Sequence, residues 1–254
     1  MNLENIGAIV TGGASGLGEA TTRMLAKRGV KVAIFDLNDE QGKAIAAETG
    51  GAFFKVDVTS EDSVASAIAE AEAKHGPARV CVNCAGIAPG DRVVNRDGSP
   101  IPLDKFRRGI EINLIGTFNV LSKFAARIHD AEPFEDGERG VIVNTASIAA
   151  FEGQIGQASY SASKAAVAGM ALPIARELAR FGIRVNTIAP GLFWTPMMAG
   201  FTQEVQDSLA AQVPFPSRLG KAEEYAQMVA TIIDNRMLNA EVIRLDGAIR
   251  MAAK

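Results

Sequence analysis

Tyr160 and Lys164 stand four residues apart in a stretch of helical period, so their side chains share one helix face about a turn apart. A phenol titrates near about 10, and an ammonium beside it favours the phenolate, moving it toward acid-base strength near neutrality. Ser147 lies thirteen residues upstream, just past an apolar run that reads as a strand, where its hydroxyl can meet the phenol. Near the start of the chain comes Thr11-Gly12-Gly13-Ala14-Ser15-Gly16-Leu17-Gly18. Glycines let a backbone turn tightly and approach a pyrophosphate, and a helix beginning near Leu17 aims free N–H groups at the anion. Eighteen residues past Gly18, Asp36 ends a second apolar run, close to the ~20-residue offset at which an acid meets the adenosine ribose of a dinucleotide. That acid repels a 2′-phosphate, and neither Ser15 nor Leu37 supplies a cation, so the pattern selects NAD over NADP. Each signal alone has a plain alternative: a surface Tyr/Lys pairing, a tight loop, a solvated strand-end acid.

The elements that would position these groups are legible as a series. Seven β-rich apolar runs, at 6–10, 30–35, 53–56, 80–82, 141–144, 185–188 and 242–245, alternate with segments of helical period at 17–28, 39–49, 60–74, 103–127, 159–181 and 222–233. The spacing predicts one α/β domain over 1–254: a Rossmann-type, doubly wound, seven-stranded parallel sheet with helices on both faces, because the strands are continuously apolar. Ligands in such folds sit at the carboxyl ends of the strands. Ser60 predicts an N-cap with Glu61 and Asp62 in the first turn, and Pro173 predicts a kink in the fifth helix. Two long connections, 88–102 and 190–220, are of the size that carries function.

Composition narrows the functional classes. The 254 residues carry a formal charge of −3 with 48% hydrophobic residues, which supplies no basic field for nucleic acid or an anionic membrane surface. No run approaches the ~20 apolar residues of a membrane span, and the first residues lack a signal-peptide pattern, so a cytoplasmic protein is expected. Cys81 and Cys84 spell Cys-x-x-Cys, but within a strand they point to opposite faces, and no second pair completes a zinc site; they read as core cysteines with no metal bound. His75 and His129 lie near helix ends with no partner pattern and receive no catalytic role.

Taken together, the motifs change the reading. Thr11 to Gly18, Asp36, Asp57-Val58, Asn83-Cys84-Ala85-Gly86, Asn113, Ser147, Tyr160, Lys164 and Pro190-Gly191 occur in the order and approximate spacing of the short-chain dehydrogenase/reductase family, which the chain resembles over nearly its whole length. Within that family, the segments 144–164, 213–220 and 241–251 resemble the type 2 3-hydroxyacyl-CoA dehydrogenases. The resemblance implies reversible oxidation of a secondary alcohol with NAD. It implies Gly12, Ser15, Gly16, Leu17, Gly18 and Asp36 at the pyrophosphate and ribose, Asp57 and Val58 at the adenine, and Ala85 and Gly86 beside them. Pro190, Gly191 and Thr195 would complete the cofactor site, Thr195 at the carboxamide. It further implies Tyr160 as acid and base, Lys164 on the nicotinamide ribose, Ser147 on the substrate oxygen and Asn113 anchoring a water in the proton relay. A homotetramer is implied as well, with the helices at 103–127 and 159–181 facing their symmetry mates.

Substrate identity rests on the long loops. Leu192, Phe193, Trp194, Pro196, Met197, Met198 and Phe201 form an apolar stretch that could close over a hydrophobic ligand, with Phe193 and Trp194 as substrate contacts; packing against the sheet or an oligomer contact is the alternative. The chain departs from the resembling group at Trp194, where that group has glycine, and an indole there would narrow the pocket. An acyl-CoA brings phosphates, for which Arg92, Arg96, Lys105, Arg107 and Arg108 are candidate contacts, whereas the acidic stretch Asp130, Glu132, Glu135, Asp136 and Glu138 should face elsewhere. A steroid or other small hydrophobic alcohol is the alternative substrate, and a non-catalytic NAD-binding scaffold the alternative of another class.

Overall fold

The computed structural model describes residues 3–200 and 202–253, with the side chains of residues 197 and 199 outside that description, so Met197 and Phe201 of the apolar stretch are not placed. In chain order the elements are β1 (Gly7–Thr11), α1 (Gly16–Lys27), β2 (Lys31–Asp36), α2 (Asp39–Thr49), β3 (Ala52–Lys55), α3 (Glu61–His75), β4 (Ala78–Asn83), α4 (Leu103–Ile110) and α5 (Gly116–Ile128). There follow β5 (Gly140–Thr145), α6 (Ala158–Gly169), α7 (Ala171–Leu178), β6 (Ile183–Pro190), α8 (Pro196–Ala199), α9 (Gln203–Ala211), α10 (Ala222–Asp234) and β7 (Val242–Leu245). The seven strands form one parallel sheet in the order β3-β2-β1-β4-β5-β6-β7. The order reverses between β1 and β4, and in such a sheet that switch point opens a crevice at the strands' carboxyl ends.

Alternation within each strand feeds two cores. In β1, Ala8 and Val10 join Leu25 of α1, Ile45 of α2 and Val229 of α10 on one face, while Ile9 joins Val64 of α3, Phe124 of α5 and Leu178 of α7 on the other. Cys81 packs into the second core and Cys84 against the first, on opposite faces of the sheet. Local signals start the helices where expected: Ser60 Oγ accepts from Ser63 N at 3.2 Å and Asn38 Oδ1 from Gln41 N at 3.1 Å.

Two segments differ from the sequence expectation, and a third, at Pro173, meets it. The helix expected over 103–127 is interrupted by a π turn, Glu111–Ile115, where the buried side chain of Asn113 reaches the backbone of Ile87. The fifth helix breaks at Met170, dividing α6 from α7, because Pro173 cannot donate to the Gly169 carbonyl. The 190–220 connection contains helices α8 and α9, the first opened by Pro196 at its first position; at four and nine residues they are too short for a helical period to stand out.

The acidic 130–138 connection enters β5 at its amino end, the far edge of the sheet from the crevice. There the buried Glu138 pairs with Arg184 of β6 at 2.8 Å. The same guanidinium donates to the carbonyls of Ile232, Ile233 and Leu238 at 2.8, 3.1 and 2.9 Å, closing the carboxyl end of α10. Arg184→Met is expected to cost about 3–5 kcal/mol of unfolding free energy in urea, since it leaves Glu138 charged and buried with that cation gone. A loss under about 1 kcal/mol, the worth of a surface pair, would contradict this role.

Candidate active site

The crevice at the strands' carboxyl ends is lined by Gly12, Ser15, Gly16, Leu17, Gly18, Asp36, Asp57, Val58, Ala85, Gly86, Ser147, Tyr160, Lys164, Pro190, Gly191, Phe193 and Thr195. Residues scattered over 184 positions of sequence thus share one wall because every β-strand delivers its following loop to the same edge.

The glycine loop is shaped by close approach. Gly12 sits at φ +62, and a Cβ there would lie 2.9 Å from the amide nitrogen of Ala85. A Cβ on Gly18 would lie 2.1 Å from the Gly12 carbonyl oxygen, so only glycine lets α1 start against the loop. Above Gly16 the space is open: an added Cβ meets nothing closer than 3.5 Å, its nearest neighbours being Pro196 and Thr195. The first-turn N–H groups of α1 face this space with no side-chain cap from Ser15. Asp36 Oδ2 accepts from Ala14 N and Oδ1 from Asn38 N, both at 3.0 Å, which fixes the carboxylate on the crevice wall. Amide donors, an open cradle and an acid one strand away fit the pyrophosphate and ribose of a nicotinamide dinucleotide.

The second cluster stands on β5 and α6. Ser147 Oγ accepts from Ala149 N at 3.1 Å, which orients the hydroxyl and leaves its proton to donate. Tyr160 lies in the first turn of α6, and Lys164 Nζ is 5.9 Å from the centre of its ring. The Lys164 ammonium donates to the carbonyl oxygen of Thr145 at 2.8 Å. Burial pulls Lys164 down to about 8. Burial pushes the Tyr160 phenol up, with the Ser147 hydroxyl acting the other way. In the empty crevice burial is the larger influence on the phenol, and the ammonium is held by a backbone carbonyl. In this state Tyr160 is a phenol with a proton to give, against a carbonyl substrate an acid.

Asn113 and Trp194 do not line the crevice. The Asn113 amide spends both N–H groups, on Ile87 O at 2.9 Å and Ser163 Oγ at 3.0 Å, so it ties α5 to the loop after β4 and to α6, with no N–H left for a water. Trp194 is 47% exposed and does not narrow the pocket. Phe193 is buried, packed with the first core and over Gly220, and shows only part of its surface to the crevice. Of the five basic candidates, Arg108 alone lines the crevice; Lys105 pairs with Asp91 at 2.8 Å and Arg107 with Asp104 at 3.0 Å. Thr145 and Tyr225 were not anticipated. The Tyr225 hydroxyl lies 2.7 Å from Thr145 Oγ1, behind the carbonyl that holds Lys164, and no local motif marks a tyrosine on a distant helix.

The family model described as short chain dehydrogenase matches residues 7–206. The chain belongs to the short chain dehydrogenase family. It is 52% identical to the human 3-hydroxyacyl-CoA dehydrogenase type-2 over 98% of this chain and 97% of that one. It is 36% identical to the ipsdienol dehydrogenase of Ips pini over 95% and 96% of the two chains. Among solved structures, the 3-hydroxyacyl-CoA dehydrogenase type-2 of Mycobacterium avium superposes with a TM-score of 0.94 at 48% identity, covering 98% of both chains. As a member, the chain is an oxidoreductase that works with a nicotinamide cofactor.

Holding Lys164 charged in this site costs stability. Its value of about 8 against an ordinary 10.5 makes the penalty complete below pH 8 and absent above 10.5, a difference of at most about 3 kcal/mol. The stability of the ligand-free parent relative to Lys164→Met is therefore expected to rise as pH passes from 8 to 10.5. Denaturant unfolding at the two ends measures it, and a pH-independent difference would contradict the buried charge.

Proposed function

We propose that the chain is an NAD-dependent oxidoreductase that interconverts 3-hydroxyacyl-CoA and 3-oxoacyl-CoA. The observation that carries the reaction is the meeting of Ser147, Tyr160 and Lys164 on the wall that also holds the glycine loop and Asp36. When bound, the nicotinamide supplies or accepts the hydride at the reacting carbon. In the reducing direction the Tyr160 phenol gives its proton to the carbonyl oxygen, and the Ser147 hydroxyl donates a hydrogen bond to the same oxygen as charge builds there. In the oxidising direction the phenolate takes that proton back. Lys164, anchored on Thr145, places a cation beside the phenol and favours its ionised form once the crevice is filled.

Asp36 supports NAD as the cofactor, because its carboxylate occupies the wall where a 2′-phosphate would have to lie. The CoA thioester is supported by the names and near-complete coverage of the relatives and by a crevice whose far wall is apolar, with Leu192, Phe193 and Met198. That same apolar wall favours a second reading, a small hydrophobic alcohol without CoA, in line with the ipsdienol dehydrogenase relative. A homotetramer is supported by exposed apolar residues on the helices expected at its interfaces, Leu103 on α4, Phe118 on α5 and Leu172 on α7. A reducing, cytoplasmic setting suits the two free thiols, both pushed up by burial.

The test is oxidation of reduced cofactor by acetoacetyl-CoA and by a steroid ketone in parallel, with NADH and NADPH. Turnover of the thioester with a KM for NADPH at least about tenfold above that for NADH is expected, a modest return for like-charge repulsion. Steroid turnover alone would overturn the substrate, a preference for NADPH would overturn the cofactor, and bound NADH with no turnover of any alcohol or ketone would leave a scaffold protein. Light scattering on the eluted protein is expected to read four times the 26.7 kDa chain, and a 26.7 kDa species alone would refute the tetramer.

A further inference from the structure

Among the described residues two cations line the crevice, Lys164 and Arg108. Lys164 is committed to the Thr145 carbonyl. Arg108 is exposed and makes no ion pair among the described residues, although its neighbours on α4 and in the preceding loop do. The turn that carries it is nevertheless fixed. Ser159, the residue before Tyr160, donates its hydroxyl to the Phe106 carbonyl at 2.7 Å. Gly109 is pressed so closely on α6 that a Cβ there would lie 2.2 Å from Ser159 Oγ and 3.0 Å from Pro89. The Lys105 to Asp91 pair ties the 88–102 loop to the same turn.

The helix also tells which end of the crevice Arg108 serves. Gly116 packs against Val58, beside Asp57, on the side where the adenine is proposed to lie. Arg108 stands eight residues before Gly116, about 12 Å along the helix axis, on the turn whose Phe106 and Gly109 meet Ser159. The acids of the crevice wall, Asp36 and Asp57, stand with the glycine loop at the proposed cofactor end, whereas the turn that carries Arg108 packs on Ser159, beside Tyr160. A guanidinium suits a phosphate, whose oxygens it can take in pairs.

We propose that Arg108 is the phosphate contact of the substrate's CoA moiety, a binding residue that selects a phosphorylated thioester over a bare hydrophobic ketone. The inference rests on the acyl-CoA reading above and names the group in this site that would enforce it. The pyrophosphate of the cofactor is a second source of the same chemistry, and the experiment separates the two.

The intact enzyme is assayed with acetoacetyl-CoA and with the acetoacetyl thioester of pantetheine, which has the same reacting group and no phosphate. Arg108→Ala is expected to raise the KM for the CoA thioester about tenfold, the worth of one partly solvated charged hydrogen bond. The effect should be confined to that KM, with those for the pantetheine thioester and for NADH within twofold of the parent, and Arg108→Lys should recover part of the loss. Arg107→Ala, next along the chain but paired with Asp104, serves as the control and should move neither KM. An equal rise for both thioesters, a rise in the KM for NADH, or no change with the CoA thioester would each overturn the proposal. Should the parent turn over neither thioester, the acyl-CoA reading fails by itself, and calorimetric binding of free CoA to the NAD-loaded protein decides Arg108. Binding that Arg108→Ala loses would support the phosphate contact; absence of CoA binding to the parent, or its retention by the variant, would overturn it.

Discussion

The site depends on one hydrogen bond, from the Lys164 ammonium to the carbonyl oxygen of Thr145 at 2.8 Å. It joins α6, which carries Tyr160, to the last residue of β5, two positions before Ser147. A buried ammonium without an acceptor would lose its proton or swing away, and the carbonyl prevents both. The acceptor is itself held from behind. Thr145 Oγ1 donates to Asn83 O at 2.6 Å, which uses its only proton, so the Tyr225 hydroxyl at 2.7 Å must be the donor to it. Thus α10, on the far face of the sheet, braces the strand end that positions the lysine, and Arg184 in turn ties the carboxyl end of α10 to β6.

Burial sets the chemistry as well as the geometry. The same desolvation that lowers Lys164 to about 8 raises Tyr160, so the ligand-free site holds a neutral phenol beside a cation that is easily lost. Such a phenol is ready to act as an acid. As a base it would need positive charge close by, which Lys164 and a bound oxidised nicotinamide would supply.

Much of this was legible in the sequence because it is local. The glycine loop, the strand ends at Asp36 and Ser147, the Ser60 cap and the break caused by Pro173 are each set by residues within a few positions of one another. What escaped is what the tertiary structure decides. The acceptor of Lys164 is a backbone carbonyl nineteen residues away, and Tyr225 lies on another helix altogether. The direction of the Tyr160 shift turns on a competition between burial and the Ser147 hydroxyl, and only packing sets the first. The role of Asn113 came from the family resemblance alone, and only the structure shows that both N–H groups of its side-chain amide are engaged, by Ile87 and Ser163. Trp194 was given a pocket role for its place in the apolar loop and its contrast with glycine in the resembling group, but its side chain stands half exposed outside the crevice.

The most direct test of the central claim, that the Tyr160 hydroxyl is the proton donor and acceptor of a ketone/alcohol interconversion, is the turnover of Tyr160→Phe. The variant keeps the ring and its packing and removes one oxygen. Assayed with NADH and acetoacetyl-CoA beside the parent, it is expected to lose about 10²–10⁴ in kcat while its dissociation constant for NADH stays within twofold. A variant that retains more than about a tenth of the parent's kcat would show that the proton comes from elsewhere, and the roles given to Lys164 and Ser147 would fall with it.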